Sequence, residues 1–437
     1  MNTVDLIRKK RDGGTLTREE IEYWIDGTVR GTIADYQVSA LLMATFIRGM
    51  TDEETANLTD VMAHSGSMFT PDDLGGYTVD KHSTGGVGDT TTLVLIPLLA
   101  AAGMTVGKLS GRALGHSGGT IDKLESIPGF RTDLSRSEFL DLVNRTHLAL
   151  ADHTEDMVPA DRILYELRDV TSTVDSLPLI VASIMSKKIA GGAQAIVIDV
   201  KTGAGAFLPK LEDSRRLAQS LVAIGAKLGR KMAALITDMS QPLGLMVGNA
   251  LEVLEAIDTL KGQGPQDLTD ICCELGAELL VFSGGTTDRD EAIGRLRRHL
   301  TDGSALAKFR QLIENQGGDP AVLEDPSLMP QAERLVEIGA ATDGVITRLD
   351  ALAVGRAANL LGAGRFTKED SIDPAVGVQL RCKVGDSVEA GQTLALLHVN
   401  ATDNLEQAQQ MVEEAYTIET GVEPPKAPLV IERVLGS

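Results

Sequence analysis

Apolar residues recur at helical spacing along residues 1–66, and this pattern predicts a series of short helices. Residues 17–20 (Thr-Arg-Glu-Glu) and 51–54 (Thr-Asp-Glu-Glu) each fit a capping box. In that motif a threonine and a glutamate three residues later satisfy the free backbone N–H groups at a helix start. We therefore interpret residues 1–68 as a structural helical domain with Trp24 in its core.

From about residue 70 the pattern changes to short β-branched runs that alternate with helical segments. The candidate strands cover residues 77–79, 105–108, 195–200 and 234–237, and the candidate helices cover residues 91–102, 134–150 and 212–228. Such alternation is typical of a parallel sheet flanked by helices. Residues 159–192 interrupt it with a helical pattern, so we expect this stretch to return to the helical domain.

A separate module begins near residue 331, with extended runs at residues 344–349 and 378–398. Residues 384–392 resemble the hammerhead turn of biotinyl and lipoyl carriers, but no lysine occupies a hairpin tip, so we expect no organic cofactor. The predicted fold class is multidomain α and α/β: a helical domain, an α/β domain with a central, mostly parallel sheet, and a C-terminal α+β hammerhead-like domain. The helical domain is predicted to cover residues 1–68 and 159–192. The α/β domain is predicted to cover residues 69–158 and 193–330, and the C-terminal domain residues 331–437.

Composition narrows the possible partners of this 437-residue chain. Hydrophobic residues make up 43% of it, enough for sizeable cores, whereas aromatic residues make up only 3%, so aliphatic packing should dominate. The net charge of −21 argues against nucleic acid or an anionic membrane as a partner, and an anionic substrate would need a local basic pocket. Three cysteines are too few for a disulfide framework or a zinc site. With neither a leader nor a membrane-spanning run, we expect a cytoplasmic protein.

Two glycine-rich turns carry the residues most indicative of chemistry. The first covers residues 80–90 (Asp-Lys-His-Ser-Thr-Gly-Gly-Val-Gly-Asp-Thr), and the second covers residues 108–120. Glycine lets backbone N–H groups converge, and a helix N-terminus adds positive partial charge, so such turns can hold an anion. The Gly-Lys-Ser/Thr tail of the nucleoside triphosphate loop is missing. We predict an anion site here, with plain turn chemistry as the alternative.

These two turns, with the run Gly-Gly-Thr-Ile-Asp-Lys-Leu-Glu-Ser at residues 118–126, resemble the pyrimidine-nucleoside and thymidine phosphorylase family, and the likeness extends over almost the whole chain. The resemblance implies reversible phosphorolysis of pyrimidine nucleosides (uridine, thymidine and deoxyuridine) to a free base and (deoxy)ribose 1-phosphate. Its implied partners are a pyrimidine nucleoside, inorganic phosphate and a second copy of the chain in a homodimer formed through the helical layer.

The resemblance also assigns roles to residues. The implied phosphate-binding residues are Lys81, Ser83, Gly85, Lys108, Ser110 and Thr120. The implied pyrimidine-binding residues are His82, Arg168, Ser183 and Lys187, and three of these, His82, Arg168 and Lys187, would be catalytic. The implied potassium ligands, largely through backbone carbonyl groups, are Gly88, Thr90, Leu243, Met246 and Glu255. Conservative departures from the family pattern occur at Ala113, Ser117 and Met246.

Elementary chemistry agrees with these roles but leaves alternatives open. Phosphorolysis needs an anchored phosphate and a stabilised leaving base, and His82, with an ordinary pKa near ~6.5, could donate a proton or a hydrogen bond to that base. Lys187 could instead be an ordinary solvated surface lysine, and Arg168 could instead be a structural residue in an ion pair. Two other functions compete with this one: that of an anthranilate-type phosphoribosyltransferase, and that of a non-catalytic nucleotide-binding protein of the same fold. Family members that accept both uridine and thymidine resemble this sequence in carrying lysine at the position of Lys108, so the resemblance implies broad specificity. An ammonium group can hydrogen-bond a ribose hydroxyl, and contact with phosphate alone is the alternative.

Overall fold

The computed structural model describes residues 1–112, 118–152, 154, 156–365, 367, 370–401, 403–425 and 427–436. The chain begins with four helices: α1 (Thr3–Arg11), α2 (Arg18–Val29), α3 (Asp35–Arg48) and α4 (Asp52–Ala63). Both predicted capping boxes are present, at the starts of α2 and α4. Trp24 is fully buried in the core of this layer, as predicted.

The α/β region follows, and its first elements alternate as the sequence pattern predicts. They are α5 (Pro71–Leu74), β1 (Val79–Ser83), α6 (Thr91–Ala101), β2 (Val106–Ser110), α7 (Thr120–Leu124), α8 (Arg136–Thr146) and β3 (Leu148–Asp152). Strands β1 and β2 extend beyond the predicted runs, into the glycine-rich segments. Residues 82, 83 and 110 are therefore held by strand pairing rather than by loops.

The prediction of one helix over residues 134–150 is wrong in its last part. The helix ends at Thr146, and His147 adopts a left-handed conformation with φ of 61° that caps it. The following run Leu-Ala-Leu-Ala then forms β3, which pairs in parallel with β2. A short run of alternating apolar residues without a glycine or proline before it gives no sign of where the helix stops.

Two helices then leave the α/β region, α9 (Pro159–Val170) and α10 (Leu177–Ala190). Helix α9 packs on α2 and α3, and α10 packs on α4 and on the following α/β elements. The chain rejoins the sheet through β4 (Ala195–Thr202), α11 (Leu211–Lys227) and β5 (Lys231–Asp238). Helix α10 therefore lies at the boundary between the helical layer and the sheet.

The sheet positions the carboxyl ends of its strands along one edge. Strand β4 pairs in parallel with β1 and β5, and β2 joins β1 through a bridge between Thr78 and Thr105. The spatial order is thus β3, β2, β1, β4, β5. In open parallel sheets ligands bind at the carboxyl edge, and here that edge carries both glycine-rich turns.

A second group of helices packs behind the sheet, and a small C-terminal region follows. The group comprises a short strand, β6 (Met246–Val247), and the helices α12 (Asn249–Leu260), α13 (Gln266–Phe282), α14 (Arg289–Thr301) and α15 (Ser304–Asn315). The C-terminal elements are β7 (Arg334–Gly339), β8 (Gly344–Leu349), α16 (Ala351–Leu360), β9 (Gly377–Leu380), β10 (Ser387–Val388), β11 (Thr393–Val399), α17 (Leu405–Ala415) and β12 (Tyr416–Glu419).

The end of the chain differs from the predicted C-terminal unit of residues 331–437. The last strand, β13 (Val430–Leu435), pairs antiparallel with β5 at the edge of the main sheet. Arg433 fixes it there with two hydrogen bonds of 2.6 and 2.7 Å to the buried carboxylate of Glu278. Conversely, strand β6 of the α/β region pairs with β9 of the C-terminal region. The α/β and C-terminal regions therefore share strands.

The predicted fold class is confirmed: helical, α/β and C-terminal parts are all present, and the central sheet is mostly parallel. The C-terminal part has two small antiparallel sheets, with the strand orders β10-β8-β12 and β6-β9-β11-β7. Within the described residues, none of the helices is both long enough and apolar enough to cross a membrane.

Candidate active site

A cavity of about 630 Å³ opens between the carboxyl edge of the sheet and helices α9 and α10. All of the predicted phosphate-binding residues line it: Lys81, Ser83, Gly85, Lys108, Ser110 and Thr120. Three of the four predicted pyrimidine-binding residues line it too: His82, Ser183 and Lys187. The fold thus brings together side chains that are about a hundred residues apart in the sequence.

The first glycine-rich turn is organised around the carboxylate of Asp89. The hydroxyl groups of Ser83 and Thr91 both donate to it, and the Lys81 ammonium lies 3.7 Å away. Burial acts to raise the pKa of Asp89, but the ammonium groups of Lys81, Lys201 and Lys123 outweigh it and hold that pKa far below its usual range. Asp89 therefore stays ionised and fixes the donors around it.

Glycine is required where this turn reverses direction. Gly85 and Gly88 have φ values of 94° and 68°, which other residues adopt only with strain. The Gly85 N–H donates to the Ser83 hydroxyl at 3.3 Å, and the turn leads directly into α6. The start of α6 adds the partial positive charge of a helix N-terminus to the lysine in the turn.

A second charged group lies beneath the cavity, and it comprises Asp80, Lys108 and Lys188. The Lys108 ammonium donates to Asp80 Oδ1 at 3.1 Å and to the Lys81 carbonyl oxygen at 2.7 Å. The Lys188 ammonium lies 2.9 Å from Asp80 Oδ2. Burial lowers the pKa of Lys108, although the Asp80 carboxylate opposes the shift. Neither Asp80 nor Lys188 was predicted as a site residue.

One face of α10 forms the other end of the cavity. Ile180, Ser183, Ile184 and Lys187 recur at helical spacing and all line it. The Lys187 ammonium donates to Ser183 Oγ at 3.0 Å and forms an ion pair with Asp161 of α9. Lys187 is therefore a directed cation of the cavity and not a solvated surface lysine. Apolar walls with a few fixed polar groups suit a flat heterocyclic ring.

Arg168 does not join this face in the structure. It is almost fully buried, and it is not among the described residues that line the cavity. Its guanidinium donates to the carbonyl oxygens of residues 173, 174 and 179, and it lies 5.7 Å from the ring of Tyr165. Tyr165 itself lines the cavity. Contact between Arg168 and a base would require its guanidinium to leave these carbonyl oxygens.

His82 lies in the cavity wall among four lysines. Burial, followed by the charges of Lys188, Lys108, Lys81 and Lys187, lowers its pKa well below the ordinary value of 6.5. The imidazole is thus neutral at pH 7 and can donate one N–H hydrogen bond. Of the two roles predicted for it, hydrogen-bond donor fits the neutral form, and proton donor does not.

Three of the predicted potassium ligands, Gly88, Leu243 and Met246, lie close together on the far side of the glycine-rich turn. A Cβ atom on Gly88 would collide with the Leu243 carbonyl oxygen and lie 3.0 Å from that of Met246. The Thr90 hydroxyl donates to the Gly88 carbonyl oxygen at 3.3 Å. Glu255 Oε1 accepts from Leu245 N, and its buried Oε2 has no hydrogen-bond partner among the described residues.

Such a set of oxygen atoms fits a monovalent cation, whose preferred ligands are carbonyl and carboxylate oxygens. Burial raises the pKa of Glu255 to about 8, as expected for a carboxylate without a close counter-charge. Met246 lies in β6, where its carbonyl and not its side chain is relevant. The other two departures, Ala113 and Ser117, lie outside the described residues.

Sequence reasoning missed the carboxylates of the cavity. Asp80 and Asp89 stand within the first glycine-rich motif, which also contains Lys81, the partner of Asp89, and this opposite charge was a usable signal. Asp161 gave no such signal, because it lies 26 residues from Lys187 on another helix. Only packing of α9 beside α10 reveals that pair.

Comparisons with known proteins agree with this geometry. Residues 4–66 match the family described as "Glycosyl transferase family, helical bundle domain", and residues 75–306 match "Glycosyl transferase family, a/b domain". Residues 345–419 match "Pyrimidine nucleoside phosphorylase C-terminal domain". The fold and the site therefore define a glycosyl transferase with a nucleoside phosphorylase C-terminal domain.

Relatives narrow this class further. The chain is 52% identical to the pyrimidine-nucleoside phosphorylase of Geobacillus stearothermophilus over 99% of each chain. It is 51% identical to that of Bacillus subtilis (strain 168) over 98% of each, and 53% identical to that of Staphylococcus aureus (strain MSSA476) over 92% of this chain and 93% of the relative. The chain belongs to the pyrimidine-nucleoside phosphorylase family, and it is a pentosyltransferase.

One solved structure shows how general the fold is. Anthranilate phosphoribosyltransferase (TrpD) from Thermus thermophilus superposes with a TM-score of 0.58 at 18% identity, covering 71% of this chain and 99% of that chain. This likeness concerns the fold alone.

The neutral state of His82 can be measured directly. Ring-proton NMR of the folded enzyme should show His82 unprotonated at pH 6, with the His82→Gln spectrum assigning the signal. The same residue in urea should titrate near ~6.5. Because the unfolded chain takes up this proton and the folded chain does not, acidification below that value should favour unfolding. A folded-state midpoint at or above 6.5 would contradict the described burial.

Proposed function

We propose that the enzyme catalyses the reversible phosphorolysis of uridine, thymidine and deoxyuridine, giving a free pyrimidine and (deoxy)ribose 1-phosphate. One observation supports the proposal: a single cavity has the first glycine-rich turn at one end and the α10 face, with Lys187, at the other. Its volume of about 630 Å³ lies within the range of small-molecule sites. The names of the relatives point to the same nucleoside class.

At the anion end, phosphate would meet the glycine turn, the start of α6 and the hydroxyl groups of Ser110 and Thr120. Lys81 and Ser83 already have partners at Asp89 and Thr91, so they would adjust or share hydrogen bonds when phosphate enters. Donors fixed in advance toward developing charge commonly make the largest single contribution to catalysis. The attacking phosphate oxygen would thus face the anomeric carbon of the sugar.

At the base end, the departing pyrimidine gains negative charge on its ring oxygens and nitrogen. The neutral imidazole of His82 would donate a hydrogen bond there, and the Lys187 ammonium, oriented by Asp161, would supply positive charge. Ser183 would add a hydroxyl group beside Lys187. Arg168, on α9, would contribute only after its guanidinium leaves the three backbone carbonyls that it now holds.

The two competing functions have weaker support. A phosphoribosyltransferase of the anthranilate type needs magnesium held by acidic residues, and no suitable Asp-Glu pair follows Arg168 in the sequence. A non-catalytic nucleotide-binding protein has no need of charged groups at both ends of its cavity. Both alternatives predict that uridine stays intact when phosphate is added.

Base release should depend strictly on phosphate. Uracil formation from uridine, followed by absorbance, should require phosphate and yield ribose 1-phosphate. Ser110→Ala should raise the KM for phosphate about tenfold and that for uridine less, since a hydrogen bond to a charged group contributes roughly 1.5–3 kcal/mol. Ser137→Ala, on the exposed surface of α8, is the matched control. Equal rates without phosphate would refute phosphorolysis, and a larger effect on uridine would mean that the anion binds elsewhere.

Substrate breadth should depend on Lys108. Its ammonium has three N–H donors, and among the described residues two of them meet Asp80 and the Lys81 carbonyl, so one can reach a sugar or phosphate oxygen. A site that hydrogen-bonds a hydroxyl discriminates strongly against its loss. Lys108→Met should therefore lower kcat/KM more for uridine than for thymidine, with exposed Lys227→Met as the control. Equal losses would reduce Lys108 to a phosphate contact.

Potassium would bind among the carbonyl oxygens of Leu243 and Met246, the Gly88–Thr90 segment and Glu255. Such an ion would brace the glycine turn against β6 and the start of α12. Replacing potassium with tetramethylammonium should lower the Tm of the wild-type enzyme, because the preferred ligand stabilises the folded state. Glu255→Gln should remove most of that difference. Identical Tm values in both salts would leave Glu255 as a buried carboxylate without a bound ion.

The homodimer would form through α3. Tyr36, Met43 and Ile47 recur at helical spacing on its outer face, and they are 77%, 37% and 68% exposed in the single chain. Exposed apolar groups clustered in this way mark an interaction surface. Ile47→Glu should shift the sedimentation coefficient from dimer to monomer, whereas Leu335→Glu, at a similarly exposed position on β7, should not. A wild-type monomer at micromolar concentration would exclude this assembly.

A further inference from the structure

We propose that Asp80 and Lys188 are positioning residues that hold Lys108 at the anion end of the cavity and join that end to the base-binding helix α10. The inference rests on the proposed function, which supplies the two substrates, and it assigns a role to two residues outside the predicted site. It concerns inorganic phosphate, the anion that this end of the cavity would take.

The first argument is geometric. The Asp80 carboxylate lies between two ammonium groups, with Oδ1 at 3.1 Å from Lys108 Nζ and Oδ2 at 2.9 Å from Lys188 Nζ. Asp80 Oδ1 also accepts the backbone N–H of Lys81 at 2.7 Å. The three side chains are only 5–8% exposed, so water does not compete for these contacts. The long Lys108 side chain is thereby held in one position.

The second argument is charge. Burial lowers the pKa of Lys108 to about 7, and when Lys108 is protonated the two ammonium groups around one carboxylate leave a net positive charge of one in a buried place. An uncompensated buried charge is costly unless another group of opposite sign comes close. Lys108 and Lys188 both line the cavity, so the cavity is the side from which an anion can approach. Phosphate would supply the missing negative charge.

The third argument is connectivity. Asp80 stands on β1, two residues before His82, and Lys108 stands on β2. Lys188 stands on α10, directly after Lys187 and just beyond the Ser183–Lys187 pair that faces the base. The ion pair between Asp80 and Lys188 thus crosses from the sheet to the helical layer. A shift of α10 when a base binds would be passed to Lys108 through a buried contact of 2.9 Å.

Calorimetric titration with inorganic phosphate tests this role without relying on turnover. Lys188→Met should weaken phosphate binding about tenfold, which corresponds to ~1.4 kcal/mol, and Lys188→Arg should restore most of the affinity. Lys10→Met is the matched control: it breaks another buried ion pair, with Glu54 at 2.7 Å, within the helical layer. It should lower the Tm but leave phosphate affinity unchanged. If Lys188→Met also lowers only the Tm, the pair is structural and the proposal fails.

A double-mutant cycle then separates positioning from direct contact. Asp80→Asn should lower kcat, because Lys108 loses its anchor, and adding Lys188→Met should cost little more, since Lys188 acts through Asp80. Losses in kcat that multiply would mean that Lys188 contacts substrate itself, which overturns the positioning role. Failure of the wild type to cleave any pyrimidine nucleoside would refute the proposed function, and the phosphate titration would still decide whether the three side chains act together.

Discussion

Buried and half-buried lysines paired with carboxylates are the constraint on which this site depends. Taking an ammonium group out of water costs several kcal/mol, and only a close carboxylate or several acceptor oxygens can offset that cost. Lys81 lies near Asp89, Lys187 near Asp161, and Lys108 and Lys188 share Asp80. The protein can therefore hold four cations around one cavity despite a net charge of −21. Burial, together with the same cations, lowers the pKa of His82 and keeps it neutral, and this limits it to hydrogen bonding at pH 7.

The fold supplies these pairs from two layers. Strands β1 and β2 end side by side at the carboxyl edge, so both glycine-rich turns meet there, and α10 covers them from the helical layer. Motion between the layers would change the distance between phosphate and base, and such closure is a common way to exclude water from a reaction. The buried ion pair between Asp80 of β1 and Lys188 of α10 crosses this boundary, and it connects the two ends of the cavity.

The C-terminal region supports the site from behind. It pairs β9 with β6, and Lys383 donates to the carbonyl oxygens of Pro242 and Gly244 at 2.8 and 3.0 Å. These contacts fix the segment that carries the Leu243 and Met246 carbonyls, which face Gly88 in the first glycine-rich turn. In return, β13 closes the edge of the main sheet, where Arg433 meets Glu278. A region with no described residue in the cavity wall thus supports the first glycine-rich turn from behind.

The sequence by itself determined the class of fold, the two glycine-rich turns and most of the cavity residues, because these depend on local periodicity and on motifs whose members are neighbours in the chain. It did not reveal β3, whose short apolar run has no boundary signal, or the return of β13 to the main sheet. Only the tertiary structure decided that Asp161 orients Lys187, that Asp80 joins Lys108 to Lys188, and that Arg168 turns toward backbone carbonyls. These are pairings between separate elements, and their free energy depends on burial and distance, which packing sets and residue order along the chain does not.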